Sequence, residues 1–270
     1  MTSIVRERTG RIATAPGRLT LFLGTAKGGF ALEAASGRAG WRVRGPFQLG
    51  ARTHDLRLDP RDGTTLLMGS TGGHLGPTIY RAKDGGRSWR EAERPPRFAK
   101  RTARSPRRRR ALASRGQSVK ANFWLEPGHA EEPGVWYCGT SPQGLFRTAD
   151  GERTWSGVAG FNANESWSRW VNVGQDGTPD GPVLHSIQID PRDRRHLAVS
   201  CSSGGTFESH DQGRSWRSIN RGIAADFLPS PDVEYGHDPH CMVMHPADPD
   251  RWYQQNHCGI YRLDRARGEV

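Results

Sequence analysis

Short apolar runs separated by polar, Gly- or Pro-bearing turns recur along nearly the whole chain. Four runs close on a shared landmark: Leu58-Asp59-Pro60, Leu125-Glu126-Pro127, Ile189-Asp190-Pro191 and Met244-His245-Pro246. After each landmark come a polar turn and a second apolar run: Thr65–Ser70, Val135–Thr140, Leu197–Cys201 and Trp252–Asn256. A Gly-rich or polar turn then leads to a third strand. In all but the last repeat that strand enters a hairpin and a fourth strand. The pattern predicts a repeated unit of four strands, A to D, with short connections.

The hairpins repeat closely. Tyr80-Arg-Ala-Lys-Asp-Gly-Gly-Arg-Ser-Trp89, Phe146-Arg-Thr-Ala-Asp-Gly-Glu-Arg-Thr-Trp155 and Phe207-Glu-Ser-His-Asp-Gln-Gly-Arg-Ser-Trp216 align without gaps, and Ala35-Ser-Gly-Arg-Ala-Gly-Trp41 is a degenerate copy. An Asp side chain accepts hydrogen bonds from backbone N–H groups a few residues ahead and closes such a turn. That assigns Asp84, Asp150 and Asp211 a structural role. Gly85, Gly86, Gly151 and Gly213 supply turn conformations forbidden to other residues. Trp89, Trp155 and Trp216 are each expected to bury a large ring beside the next sheet.

Units of this kind arranged about a common axis make an all-β propeller. Landmark spacings of 67, 64 and 55 residues exceed the roughly 40–50 of compact blades. The excess lies between a D strand and the next A strand. The first repeat opens at its B strand, Leu19 to Gly24, and the fifth stops where its D strand would begin. About four to five blades in an incomplete ring are therefore expected over residues 18–270, after a flexible segment over 1–17 and with a basic loop at 97–117.

Across residues 18 to 265 the chain resembles bacterial proteins built from Asp-box, or bacterial neuraminidase, repeats: the sialidase-like glycosyl hydrolases. Besides the hairpins, the stretches that carry the resemblance are Val135-Trp-Tyr-Cys-Gly-Thr-Ser-Pro-Gln-Gly-Leu-Phe-Arg147, Asp176-Gly-Thr-Pro-Asp-Gly181, Tyr235-Gly-His-Asp-Pro-His240 and Gln254-Gln-Asn-His-Cys-Gly-Ile-Tyr261. It implies a carbohydrate-directed propeller, with exo-sialidase-like hydrolysis as the activity if the chain is an enzyme. The wider superfamily also includes non-catalytic receptors and assembly factors, so a propeller that binds a protein or small ligand is the alternative. The [Phe/Tyr]-Arg-Ile-Pro motif of true sialidases is absent. The nearest fragment, Gly10-Arg11-Ile12-Ala13, lacks both the aromatic residue and the proline.

Composition sharpens the picture in two places. With 34 Gly, 18 Pro and 34% hydrophobic residues, this is a chain of short strands and turns rather than a helical bundle. It holds no apolar run near the ~20 residues that span a bilayer, so no membrane partner is expected. The N-terminus has no secretory h-region and the four cysteines form no C-x-x-C pair, which fits a cytoplasmic protein. The net charge of +11 is nearly all local. Arg97 to Arg115 holds nine basic and no acidic residues, so +11 less nine leaves +2. With no aromatic residue after Phe98, this run lacks the stacking platforms of a nucleic-acid site, and a nucleic-acid partner is not expected.

Strand alternation puts A–B turns and Asp-box turns on one face, and B–C turns and the long D–A connections on the other. A rigid scaffold that presents long loops is where function is sought. His54, His185 and His240 each fall five positions before Asp59, Asp190 and His245, at the start of an innermost strand. His237 ends a D–A loop, while His74 and His257 fall in B–C loops. With Asp55, Asp238 and Asn256 they make a candidate ligand-binding ring at the channel mouth. Catalytic residues stay unassigned, with Asp55, Asp176, Asp180, Glu234 and Asp238 as the carboxylates at hand. No cofactor is expected, and no metal site can be specified from spacing alone. Against the ring, His54, His185 and His240 share period-2 phase with Leu56, Ile187 and Met242, which is how residues that merely cap inter-blade packing would read. Trp167 and Trp170, in a D–A loop, are better placed to stack on a sugar than Trp124 or Trp136.

Overall fold

A computed structural model describes residues 4–7 (as backbone), 19–34, 40–72, 76–99, 117–164, 182–228, 230 and 233–267. Among these residues every element but the helical turn Ala159–Asn162 is a strand, and no helix is long and apolar enough to cross a membrane.

Strands β5 (Arg52–Leu58), β6 (Leu66–Gly72), β7 (Gly76–Ala82) and β8 (Arg90–Glu91) form an antiparallel sheet in chain order. The same A-B-C-D order holds for β9 (Ala121–Pro127), β10 (Trp136–Ser141), β11 (Leu145–Thr148) and β12 (Ser156–Gly157). It recurs in β13 (Leu184–Ile189), β14 (Leu197–Cys201), β15 (Gly205–Ser209) and β16 (Arg217–Ser218). The last sheet has three strands, β17 (Pro239–His245), β18 (Asp248–Asn256) and β19 (Gly259–Asp264). The first holds β2 (Leu19–Thr25), β3 (Gly28–Ala34) and β4 (Trp41–Phe47), with β1 (Ile4–Glu7) added in parallel outside β4. The strand at β1 falls inside the N-terminal segment expected to be flexible. These are the blades of an incomplete propeller.

The blades touch backbone to backbone. A Cβ at Gly24 in β2 would stand 2.6 Å from the Thr53 carbonyl oxygen, and one at Gly69 in β6 or Gly139 in β10 would collide with the Asn122 or Leu184 carbonyl. Glycine is required there by close approach, not by turn geometry. The equivalence of Gly24 with Gly69 and Gly139 makes β2 a B strand. Among the described residues no strand lies inside β2 and none outside β19. Leu21 and Leu23 are 43% and 42% exposed on β2, and Ile260 is 78% exposed on β19.

Four apolar layers fill the four gaps between blades. Ala31 and Phe47 meet Leu66 and Met68; Leu67 and Ile79 meet Leu125 and Trp136. Val135 and Tyr137 meet Leu184 and Ile187; Ala198 and Ile223 meet Met242 and Trp252. A central B strand is covered on both faces, so it reads as a continuous apolar run (Leu66, Leu67 and Met68 are all fully buried) instead of alternating.

The hairpins behave as expected. Asp150 Oδ1 accepts the N–H groups of Arg153 (3.1 Å) and Thr154 (2.9 Å), and Oδ2 accepts the Thr154 hydroxyl at 2.6 Å. Although desolvation opposes ionisation, these donors hold the carboxyl down to about 2. Asp211 repeats the arrangement with Ser215 at 2.9 and 2.7 Å, and Asp84 with Arg87 and Ser88. One expectation is corrected: the hairpin tryptophans face backwards. Trp89 packs on Phe47 of the preceding blade at 5.3 Å. Trp155 joins the layer of Leu67 and Ile79, and Trp216 the layer of Val135 and Tyr137. The chain entering the D strand turns this position toward the gap behind its own blade.

Candidate functional site

The D–A loops and B–C turns share one face, and its best-furnished point lies where the fourth and fifth blades meet. His185 follows the first residue of β13. It is 6% exposed, within electrostatic range of Asp238 and His240, and burial presses its pKa down to about 4, offset in part by the Pro239 carbonyl. Its Nε2 has no hydrogen-bond partner among the described residues. Asp238 ends the D–A connection. Its Oδ1 accepts the Ser203 N–H at 3.2 Å, which leaves Oδ2 facing His240 Nε2 at 3.3 Å and His257 Nδ1 at 3.8 Å. His240, in β17, receives the Gln255 amide on Nδ1 at 3.2 Å. His257, in the β18–β19 turn, donates its backbone N–H to the Asp238 carbonyl at 3.1 Å. Its ring meets the edge of Phe227 at 5.2 Å. Asp238 is 13% exposed at the side chain, His240 42% and His257 61%. A buried neutral imidazole thus lies beside a held carboxylate and two accessible imidazoles.

The other candidates sit elsewhere. His54 lies between the second and third blades, its Nε2 3.5 Å from the Thr71 hydroxyl and its ring 5.8 Å from Phe123. His237 is fully buried and its Nε2 donates to the Val233 carbonyl at 2.8 Å, anchoring the loop. Asn256 caps the turn that presents His257, its Oδ1 accepting the N–H groups of Cys258 (2.8 Å) and Gly259 (3.0 Å). Asp55 stitches blades together, with Oδ2 accepting the Leu125 N–H at 2.8 Å and Arg57 Nε at 3.2 Å. His74, Trp167, Trp170, Asp176 and Asp180 lie outside the described residues.

Glu126 reads in the sequence as part of a strand-end landmark and Trp124 as the poorer stacking candidate, yet both join a polar cluster between the A strands of the second and third blades. Arg57 Nη1 reaches Glu126 Oε2 at 2.6 Å, Trp124 Nε1 donates to the same oxygen at 3.0 Å, and the guanidinium lies 4.4 Å over the Trp124 ring. Burial raises the Glu126 carboxyl to about 7, with Arg57 opposing, and Asp55 is raised for the same first reason. One arginine holds both carboxylates, so neither is free to act alone. The signal in the sequence was the Asp55/Arg57 and Trp124/Glu126 spacing of two on adjacent innermost strands.

On the opposite rim, His196, Glu208 and His210 also converge. Glu208, however, already accepts Arg217 and Arg265 besides His196. Two guanidinium charges make that cluster an internal ion-pair network.

No family model matches the chain, and no curated protein matches it. Among solved structures it is similar to a GH74 enzyme from Niastella koreensis, with 15% identity and a TM-score of 0.55 over 92% of this chain and 34% of that one. It is also similar to a GH74 xyloglucanase from Xanthomonas campestris (16% identity, TM-score 0.45, 92% and 43% covered). YCF48 from Cyanidioschyzon merolae matches at 13% identity and a TM-score of 0.34 over 97% and 95%. The chain spans less than half the length of either GH74 protein. At such identities the likeness is one of fold, and the fold is a propeller.

Proposed function

We propose that the chain is the ligand-binding part of a carbohydrate-directed, sialidase-like Asp-box propeller, and that the ligand sits at the mouth between the fourth and fifth blades. The observation that carries this is the convergence of His185, Asp238, His240 and His257 on the loop-bearing face, beside the Phe227 ring. Polar groups that converge next to an aromatic edge suit a polyhydroxylated ligand. Hydrolysis of a glycoside calls for two carboxylates flanking the bond, and Asp238 supplies one. Glycan-array binding and turnover of a chromogenic glycoside panel test the reading, with wild type beside Asp238→Asn and His257→Ala. Retention of a glycan that both substitutions weaken at least tenfold supports it. Failure to retain any glycan, or retention that ignores both substitutions, sinks it.

A second reading, a propeller that binds a protein, has its own observation. A cleft of about 640 Å³ runs along the same face, lined by Ser218, Asn220, Arg221, Ile223, Val233 and Glu234. Under that reading Arg221→Glu abolishes partner binding, while Asp238→Asn leaves it intact.

A further inference from the structure

We infer that Asp238, His240 and His257 form a binding site for one divalent first-row transition ion of the zinc class. The inference rests on the mouth being the working site, though not on its ligand being a sugar.

Geometry comes first. Zinc binds imidazole nitrogen and carboxylate oxygen at roughly 2.0–2.2 Å in a tetrahedron, which puts neighbouring ligand atoms roughly 3.3–3.5 Å apart. His240 Nε2 and Asp238 Oδ2 are 3.3 Å apart, and His257 Nδ1 is 3.8 Å from the same oxygen. All three ligand atoms lie within 4.8 Å of one another. The first pair already has the required separation. The other pairs close to it when the His257 ring turns, and that ring is 61% exposed, with Phe227 and His240 as its ring neighbours.

The surroundings fit a metal better than a lone ion pair. A metal ligand is held from behind by a second partner. The Ser203 N–H holds Asp238 through Oδ1, and Gln255 sits on Nδ1 of His240. Once a metal takes Nε2, Nδ1 carries the proton, so the Gln255 amide must turn its oxygen toward it and give up the bond it now donates to the Asn256 carbonyl at 2.9 Å. That exchange does not alter the heavy-atom outline of the amide. His185 supplies a second pointer: a buried imidazole whose Nε2 has no hydrogen-bond partner among the described residues and whose ring lies within electrostatic range of Asp238 and His240. A water on the metal's open position is a natural donor for that nitrogen. Two histidines and one carboxylate leave such a position free, as catalytic metal sites do.

The test is zinc itself, titrated by calorimetry into chelator-treated full-length chain, with cobalt(II) absorption as a second readout. The expected result is one zinc per chain, with a cobalt spectrum in the tetrahedral range. Affinity should fall at least tenfold in His257→Ala and in Asp238→Asn, and stay unchanged in His210→Ala. His257 is largely exposed, so its removal is not expected to impair folding, and metal-free melting curves verify this. No stoichiometric zinc in wild type overturns the inference. So does binding that survives both mouth substitutions, or binding lost in His210→Ala, which would move the ion to the opposite rim. Zinc bound without any glycan leaves the inference standing and removes the carbohydrate reading; glycan bound without zinc does the reverse.

Discussion

Gly69 and Gly72 lie in one strand, β6, and differ in what stands over them. A Cβ at Gly69 would overlap the Asn122 carbonyl oxygen and lie 3.3 Å from both the Asn122 carbonyl carbon and its Cβ. Among the described residues, a Cβ at Gly72 would meet only the Ala51 methyl, at 3.9 Å. Neither glycine has positive φ, so alanine brings no backbone strain at either position. In the unfolded chain both substitutions remove conformational freedom, which stabilises by roughly 0.4–1 kcal/mol. Gly72→Ala should therefore be neutral or slightly stabilising. In Gly69→Ala the second and third blades must part, and overpacking of this kind costs about 1–3 kcal/mol. The expected gap between the variants is about 2 kcal/mol, or roughly 4–8 °C in melting temperature at about 2–4 °C per kcal/mol. Paired thermal melts by circular dichroism measure it. Coincident melts, or a lower value for Gly72→Ala, would refute backbone-to-backbone stacking of the blades.

Two further predictions concern the rim opposite the mouth. Asp211→Ala removes the acceptor for the Ser215 N–H and for the Ser209 and Ser215 hydroxyls. It should destabilise by roughly 1–2 kcal/mol and leave ligand affinity at the mouth unchanged, as melting and calorimetry on one preparation will show. His196 should make stability pH-dependent. Burial, the largest influence, works against its charge, but Glu208 and Asp190 outweigh it and raise the pKa. A raised folded-state pKa means that the stabilisation is fully present below the unfolded value of about 6.5 and is lost as pH rises through the folded one. The stability gap between wild type and His196→Gln in urea should therefore shrink from pH 6 to pH 9. A constant gap would mean that folding does not raise the His196 pKa.

Much of the fold was legible because its causes are local. An Asp that closes a turn onto its own backbone, a glycine that follows it and a tryptophan five residues beyond the Asp need no distant partner, and three such hairpins imply the repeat. Strand boundaries at Leu58, Ile189 and His245 followed from Pro-marked turns in the same way. The loop-bearing face was legible too, since strand alternation alone sorts connections to two sides. What the local pattern left open was which side chains meet. His54 and His185 hold equivalent positions in their repeats. One packs on Phe123, while the other lies buried beside Asp238, because only the fifth blade brings an acidic loop end and a histidine-bearing turn to the same point. Asn256 and His237, read as site residues, serve the backbone that carries the site. The Arg57 clamp on Asp55 and Glu126, and the backward-facing tryptophans, depend on how one sheet lies on the next. Periodicity within a strand does not encode that relation, so tertiary packing alone determined them.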